Sequence, residues 1–180
     1  DYFVKEAHNL RAISQTKAIK TPNVFGFGTE NGEEVGYSFL LLDFVELGDI
    51  NESFWERFAN NLVNMHKADT SVFIKKEDLD KNLIYGFYED NYIGKTKQIN
   101  TPKSTWTEFF RDCRLEPQIK MAENHFSAEE LKKAQKLLDK LSDFLVEPEA
   151  PSLLHGDLWA GNVMCDKSPK AVLVDPACYV

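Results

Sequence analysis

Apolar residues recur three and four positions apart over residues 6–15. Ala7, Leu10 and Ile13 share a face beside Glu6 and Ser14, and this spacing predicts a short helix that Thr21-Pro22 brings to an end. Two runs rich in β-forming residues follow, 24–28 and 36–44. They flank Asn31-Gly32, a dipeptide suited to the positive φ of a tight hairpin turn. The opening part of the chain therefore reads as a helix plus an antiparallel hairpin. Over residues 51–67 the period changes to 3.6, with Phe54, Phe58, Leu62 and Met65 on one face of an amphipathic helix. Residues 69–103 are mixed and polar, punctuated by Gly86, Gly94 and Pro102. They predict a long irregular excursion, of the kind that serves a function or conceals an element. Trp106, Phe109, Phe110 and Cys113 mark a helix over 104–115, interrupted near Pro117. Ser127-Ala-Glu-Glu130 is a capping box ahead of Leu131, Ala134, Leu138, Leu141 and Leu145, and the Pro-containing stretch 147–151 ends that helix. Two short strand-like runs, 162–165 and 171–174, face each other across 167–170. There is no internal repeat and no low-complexity tract.

Composition narrows the class. Of 180 residues 43% are apolar and 12% aromatic, thirteen of them Phe, too much large apolar side chain for a disordered segment. The length suits one domain, or one domain and part of another. A net charge of −8 argues against a nucleic-acid partner, whose phosphates need clustered Lys and Arg, but leaves room for an anionic small molecule at a local site. Cys113, Cys165 and Cys178 are odd in number and form no C-x-x-C pair, which fits a reducing compartment and disfavours a disulfide framework or a zinc site. The start has no basic segment followed by an apolar stretch. The longest apolar run, 39–42, is far too short to cross a bilayer, so no membrane partner is expected. Beginning on Asp1 and stopping on Val180 just after a strand-like run, the chain reads as a soluble, cytoplasmic piece of something larger. Nothing in the sequence sets an oligomeric state.

The chemistry sits in the last thirty residues. His155-Gly-Asp157-Leu-Trp159-Ala-Gly-Asn162 fits H-x-D-x-x-x-x-N, and Asp175 closes the apolar run Val172-Leu173-Val174. Phosphoryl transfer needs a carboxylate to take or orient the proton of the attacking hydroxyl, and oxygen ligands to hold Mg²⁺ against the phosphates. Both must stand on rigid backbone. Asp157 fits the first task. Asn162 and Asp175 fit the second, because an amide oxygen and a carboxylate are hard ligands. Short loops rich in Gly, Asp and Asn are also common turns, and Asp175-Pro176 could simply end a strand. The correctly spaced second Asp is what weighs against coincidence.

Upstream features agree. Glu6 opens a helix before a hairpin, as the partner of an ATP-anchoring lysine would, though a first-turn acid also suits the helix macrodipole. The run 39–42 leading into Asp43-Phe44-Val45-Glu46 looks like a core strand entering a connector whose backbone could bond an adenine edge; by itself it is only a strand end.

The loop with its Leu158-Trp159, followed by Asp175-Pro-Ala-Cys-Tyr179, resembles the signature of the fructosamine kinase (ketosamine-3-kinase) family, within the protein-kinase-like and aminoglycoside-phosphotransferase group. Gly86 with Asp90-Asn-Tyr-Ile-Gly94, Gln98 and Asn100, Trp106-x-x-Phe-Phe110 and Arg114-Leu-x-x-Gln118 are similar to the family's central segment, so the resemblance covers nearly the whole chain. It implies an α+β, protein-kinase-like two-lobe fold, with a partial N-lobe and hinge at 1–45 (helix plus β-hairpin). A mainly helical C-lobe at 46–180, truncated at its C-terminus, would carry the catalytic loop and a β-hairpin. The implied reaction is ATP- and Mg²⁺-dependent phosphorylation of the 3-hydroxyl of fructosamine or ribulosamine adducts, free or on protein, leading to deglycation. On that resemblance Asp157 is the proton acceptor, Asn162 and Asp175 ligate Mg²⁺, and Asp43, Phe44 and Val45 form the adenine hinge. Trp159 and the segment beginning Asp90-Asn91 are substrate-side candidates, Trp159 equally a packing aromatic. Phe3-Val4-Lys5 resembles the strand bearing the ATP-anchoring lysine, yet it abuts Glu6-Ala7, where the family has a connecting segment, so Lys5 is either that anchor or a surface lysine. A kinase for another hydroxylated amine, of the aminoglycoside or choline type, and a non-catalytic nucleotide-binding fragment are the alternatives.

Overall fold

The computed structural model describes residues 2–29 and 37–180; the expected Asn31-Gly32 turn lies outside them. Helices and strands alternate in a mixed fold that divides into two compact units. Unit 1 comprises Asp1–Thr70, Asn91–Thr96 and Ser152–Tyr179, and unit 2 comprises Ser71–Asp90, Lys97–Pro151 and Val180.

In unit 1 the first helix, α1 (Tyr2–Gln15), starts earlier than the apolar spacing suggests. Phe3-Val4-Lys5 forms its first turns rather than a strand, because no turn or breaker separates them from Glu6-Ala7 and the helical period runs straight through. Ala7, Leu10, Ala12 and Ile13 are buried. The helix stops well before Thr21-Pro22. Thr16 Oγ1 donates to the Ile13 carbonyl (2.7 Å) and Lys17 takes a left-handed φ of 56°.

Strands β1 (Val24–Thr29) and β2 (Ser38–Leu42) pair antiparallel, Phe27 opposite Leu40. One face meets α1, where the Phe27 ring stands edge-on to His8 and under the Arg11 guanidinium. Residues 39–42 are therefore not a core strand. Alternation sends Phe39 and Leu41 to the opposite face, where both are exposed. The helix α2 (Phe54–His66) buries Phe54 and Met65, with Phe58 and Leu62 half-buried, as the 3.6-residue period requires. The strand β3 (Asn91–Ile93) belongs to this unit as well.

In unit 2 the excursion 69–103 is not wholly irregular. It holds a short helix, α3 (Lys76–Leu79), and the chain enters the unit along β4 (Thr96–Gln98). Helix α4 (Trp106–Phe110) continues through a π-helical turn, Arg111–Leu115, into α5 (Glu116–Met121). Pro117 thus fails to interrupt the helix as expected. Proline has no N–H to give, and the wider turn, closed by the Glu116 N–H to the Arg111 carbonyl, delivers it at the start of α5, where none is needed. Helix α6 (Ala128–Asp139) has the expected capping box, the Glu130 N–H donating to Ser127 Oγ (3.3 Å) and the Ser127 N–H to Glu130 Oε2 (2.8 Å). It ends sooner than the apolar pattern does. Further along, the Glu147 carboxylate accepts the N–H groups of Trp106 (2.8 Å) and Thr107 (2.9 Å) and caps α4. Ser127→Ala is expected to cost about 1 kcal/mol in a urea titration and Ser127→Gly only a few tenths, since glycine still suits the cap backbone. An unchanged urea midpoint in Ser127→Ala would show that the side-chain bond contributes nothing.

Candidate active site

The antiparallel hairpin β5 (Val163–Cys165) and β6 (Ala171–Leu173) carries the site, close to the bounds its β-forming runs suggested. Its turn is tied by Asp166, whose Oδ1 accepts the N–H groups of Ser168 (2.8 Å) and Lys170 (2.9 Å). Its strands are tied to the rest of unit 1 through the Gly48 N–H to the Cys165 carbonyl (2.9 Å) and the Leu173 N–H to the Lys20 carbonyl (2.8 Å).

The loop 155–162 is closed on itself and on β6. The His155 ring is buried and lies 3.0 Å through Nε2 from the Val174 carbonyl, while its Nδ1 lies 3.3 Å from the Asp157 N–H. Those partners fix the tautomer: Nε2–H donates and Nδ1 accepts. Burial pushes the His155 pKa down, favouring this neutral form. Gly156 sits at φ +82°, and a Cβ there would stand 1.9 Å from the Ala177 carbonyl oxygen. Asn162 is buried and donates through Nδ2 to the Asp157 carbonyl (2.8 Å) and carboxylate (3.3 Å), while its own carbonyl accepts the Val174 N–H (3.2 Å). With the amide hydrogens so used, Oδ1 is the atom of Asn162 suited to a cation. Asp175 is exposed and takes a left-handed φ of 52°.

Asp157 and Asp175 line one cleft of ≈ 210 Å³ within unit 1, together with Lys5, Glu6, Tyr92 and Gly94. That volume suits the reacting end of a substrate rather than a whole nucleotide. Glu6 projects from α1 into hydrogen-bonding contact with Asp175, and its pKa is pushed up to about 7 by burial, then by the Asp175 charge and the shared hydrogen bond. A hard cation suits such a carboxyl pair, whereas the buried Asn162 reaches Asp157 and is not itself among the residues that line the cleft. Among the described residues no group of three or more His, Cys, Asp or Glu is placed to hold a metal by itself.

Other residues singled out in the sequence lie elsewhere. Asp43, Phe44 and Val45 line a separate cleft of ≈ 1010 Å³, with Asn23, Lys20 and Arg57. Asp43 is clamped to the entry of β1, its carboxylate accepting the Asn23 backbone N–H (2.6 Å) and side-chain amide (2.7 Å). Phe44 is exposed. Trp159 is 63% exposed, its indole lying against Gly161 so closely that a Cβ there would stand 2.4 Å from the ring. Asp90 belongs to unit 2, where its carboxylate accepts the Asn100 N–H (2.9 Å) and pairs with Lys97 (3.0 Å). Asn91 is buried in unit 1 and donates its amide to Asn9 (3.0 Å) and to the Cys178 carbonyl (2.8 Å). Sequence reasoning had no signal for Asn9, a polar residue on the buried side of α1.

A pH dependence follows. The folded state holds the Glu6 proton more tightly than the unfolded chain, with a pKa of about 7 against 4.5. Between those values the folded state binds more protons, so stability falls as pH rises and the whole penalty is present above pH 7. His155, with its lowered pKa, has the opposite sign and loses stability as pH falls. The difference between wild type and Glu6→Gln isolates the carboxyl pair. In chelator-containing buffer the variant's melting temperature is expected to gain on wild type from pH 5 to pH 8. Parallel curves would show that folding does not raise the Glu6 pKa.

A sequence model of the fructosamine kinase family matches residues 1–180. A chloroplastic protein-ribulosamine 3-kinase of Oryza sativa subsp. japonica is 36% identical over 179 residues, which cover 98% of this chain and 48% of that protein. The Arabidopsis thaliana protein of the same name is 34% identical over 182 residues, covering 98% and 51%. The crystal structure of a candidate fructosamine-3-kinase from Haemophilus somnus 129PT superposes with a TM-score of 0.75 at 29% identity, covering 99% of this chain and 55% of that one. The chain thus spans about half the length of the curated relatives it matches. No helix among the described residues is long and apolar enough to cross a membrane.

Proposed function

Because the chain belongs to the fructosamine kinase family, we propose that it forms part of a kinase that uses ATP and Mg²⁺ to phosphorylate the 3-hydroxyl of ketosamines. The substrates are ribulosamine or fructosamine adducts, free or carried on protein, and the outcome is deglycation. The observation that carries this reading is the cleft that Asp157 and Asp175 share, beside a loop in which Asn162 is bonded to Asp157.

In this reading Asp157 accepts the proton of the attacking hydroxyl, and Asn162 holds the Asp157 backbone and carboxylate in place for it. Asn162 Oδ1 and the Asp175 carboxylate hold Mg²⁺, which when bound neutralises charge on the phosphate oxygens. Lys5, on the same cleft, anchors phosphate. Glu6 supplies the second carboxyl beside Asp175 and completes the negative pole that draws a cation. Asp43, Phe44 and Val45 offer backbone groups to the adenine edge. The Asp43 N–H already donates to the Asn23 carbonyl and the Glu46 carbonyl accepts the Lys167 N–H, which leaves the Asp43 carbonyl and the backbone of Phe44 and Val45 for that task. Trp159, largely exposed beside the loop, faces the sugar side, with Asp90 on weaker support because its carboxylate is engaged locally. Residues 1–45 act as a partial N-lobe and hinge, and 46–180 as a C-lobe, of a protein-kinase-like fold. The three buried free cysteines suit a reducing compartment such as the cytoplasm.

The test is ADP release by purified protein with Mg·ATP and ribulosamine or fructosamine adducts of an amino acid, against aminoglycoside, choline and no-acceptor controls. Adduct-dependent ADP release is expected. Turnover with the aminoglycoside or choline alone, or nucleotide binding without turnover on any acceptor, would overturn the reading.

A further inference from the structure

The polypeptide just after Asp175 is gripped by two buried asparagines from elements far away in sequence. Asn9, 2% exposed on α1, donates through Nδ2 to the Pro176 carbonyl (2.8 Å). Asn91, 1% exposed on β3, donates through its own Nδ2 both to Asn9 Oδ1 (3.0 Å) and to the Cys178 carbonyl (2.8 Å). The Cys178 thiol points back to the Asn9 carbonyl (3.6 Å), and the Ala177 N–H is given to the His155 carbonyl (2.8 Å) on the loop side. Residues 176–178 are therefore tied to α1 and β3 by side-chain amides, and to the loop preceding Asp157 by backbone.

The chemistry of the link is specific to amides. Two carbonyl oxygens, on Pro176 and Cys178, must be satisfied in a dry interior, and a group between them must join two side chains. A carboxamide supplies two N–H donors and an acceptor; a carboxylate supplies no donor and a hydroxyl only one. The link also explains how Asp175 keeps its backbone conformation. Outside glycine a left-handed φ persists only where the surroundings over-determine it, and here the adjoining peptide is held from both sides.

We propose that Asn9 and Asn91 form an amide clamp that positions Asp175 for the cation, so that Asn91 acts through the main chain behind the site instead of touching substrate. This rests on the reading of Asp175 as a Mg²⁺ ligand. Residues behind a metal ligand typically govern metal affinity by about 10–100-fold. The clamp should therefore show as a loss of metal-dependent nucleotide binding with little change in metal-free binding.

The experiment measures ADP affinity with Mg²⁺ and with EDTA, by calorimetry, for wild type, Asp175→Ala, Asn91→Asp, Asn91→Ser, Asn9→Ser and the double Ser variant. Melting temperatures are recorded alongside. Asp175→Ala is the reference and is expected to lose the enhancement that Mg²⁺ gives. The clamp variants are expected to lose about tenfold of that enhancement while their EDTA affinity stays within about twofold of wild type. The double variant should fall no further than the worse single one, because breaking either link frees the same peptide. If Asn91→Asp fails to fold, having buried a charge, the Ser variants give the same reading without one. Full enhancement in folded Asn9 and Asn91 variants, beside a lost enhancement in Asp175→Ala, overturns the clamp alone. Equal losses with Mg²⁺ and with EDTA also overturn it, since they mark a structural role only. Full enhancement in Asp175→Ala overturns the metal role of Asp175 and the clamp with it.

Discussion

Asp157→Asn is expected to lower ketosamine-dependent ADP release by about 10²- to 10⁴-fold and to leave ADP affinity within about twofold of wild type. The substitution keeps the shape of the side chain and one acceptor oxygen for the Asn162 amide, which now reaches both the Asp157 carbonyl and its carboxylate. The backbone N–H bond to the His155 ring is untouched. On the proposed role, what disappears is the capacity to take a proton from the attacking hydroxyl, and that capacity matters in the transition state and hardly at all when nucleotide binds. A loss in kcat with an unchanged nucleotide dissociation constant is therefore the expected pattern. If the variant turns over at the wild-type rate, the proton acceptor lies elsewhere. Parallel loss of nucleotide binding would instead assign Asp157 to the binding of the phosphates.

The second large effect concerns a residue with no side chain. Gly156→Ala should destabilise the protein by several kcal/mol, because two penalties coincide. Its φ of +82° is a region in which an L side chain is strained, at about 1–3 kcal/mol. Its Cβ would also meet the Ala177 carbonyl oxygen at 1.9 Å and the Ala177 carbonyl carbon at 2.7 Å. Those are backbone atoms held by the Ala177 N–H to the His155 carbonyl, so they cannot swing aside as a flexible side chain would. Relieving the overlap adds about 1–3 kcal/mol of overpacking strain. The sum is a large share of the roughly 5–15 kcal/mol that holds a domain folded. Gly94→Ala is the control. Its φ is +56° but nothing lies within 4 Å of the added carbon, so the cost should stay near ~1–2 kcal/mol. Urea midpoints of the two variants measure the difference, and comparable midpoints would show that residues 156 and 177 are not in contact.

Glu6 shows how far the sequence could be followed. The sequence pattern put it at the start of a helix ahead of a hairpin and so marked it for the site; α1 in fact begins at Tyr2, yet Glu6 does line the cleft with Asp157 and Asp175. Its partner was not legible. An acid before a β-hairpin suggests a lysine, whereas the carboxyl meets Asp175, 169 positions downstream. No periodicity spans that distance. Residues 39–42 show the converse. Four consecutive apolar residues read as a buried strand, yet in a two-stranded sheet with a helix on one side Leu40 and Leu42 are half-buried while Phe39 and Leu41 are exposed. Pro117 failed as a stop signal because a π-helical turn, Arg111–Leu115, delivers it at the start of α5, where no N–H is needed.

By itself the sequence determined what short-range physics controls. The 3.6-residue period set α2, the reciprocal bonds of Ser127 and Glu130 set the start of α6, and β-forming runs about a Ser-Pro turn set the β5–β6 hairpin. The spacing of Asp157, Asn162 and Asp175 was enough to point to phosphoryl transfer, and Leu158-Trp159 with Asp175-Pro-Ala-Cys-Tyr179 carried the resemblance to the family. Tertiary structure alone decided the surroundings of those residues: the Glu6–Asp175 contact, the neutral His155 wedged between Val174 and Asp157, and the asparagines behind Pro176 and Cys178. The bond from Asn9 to Pro176 joins residues 167 apart. Such bonds are chosen when distant elements pack and every buried amide and carbonyl must find a partner, a condition that no local pattern of residues encodes.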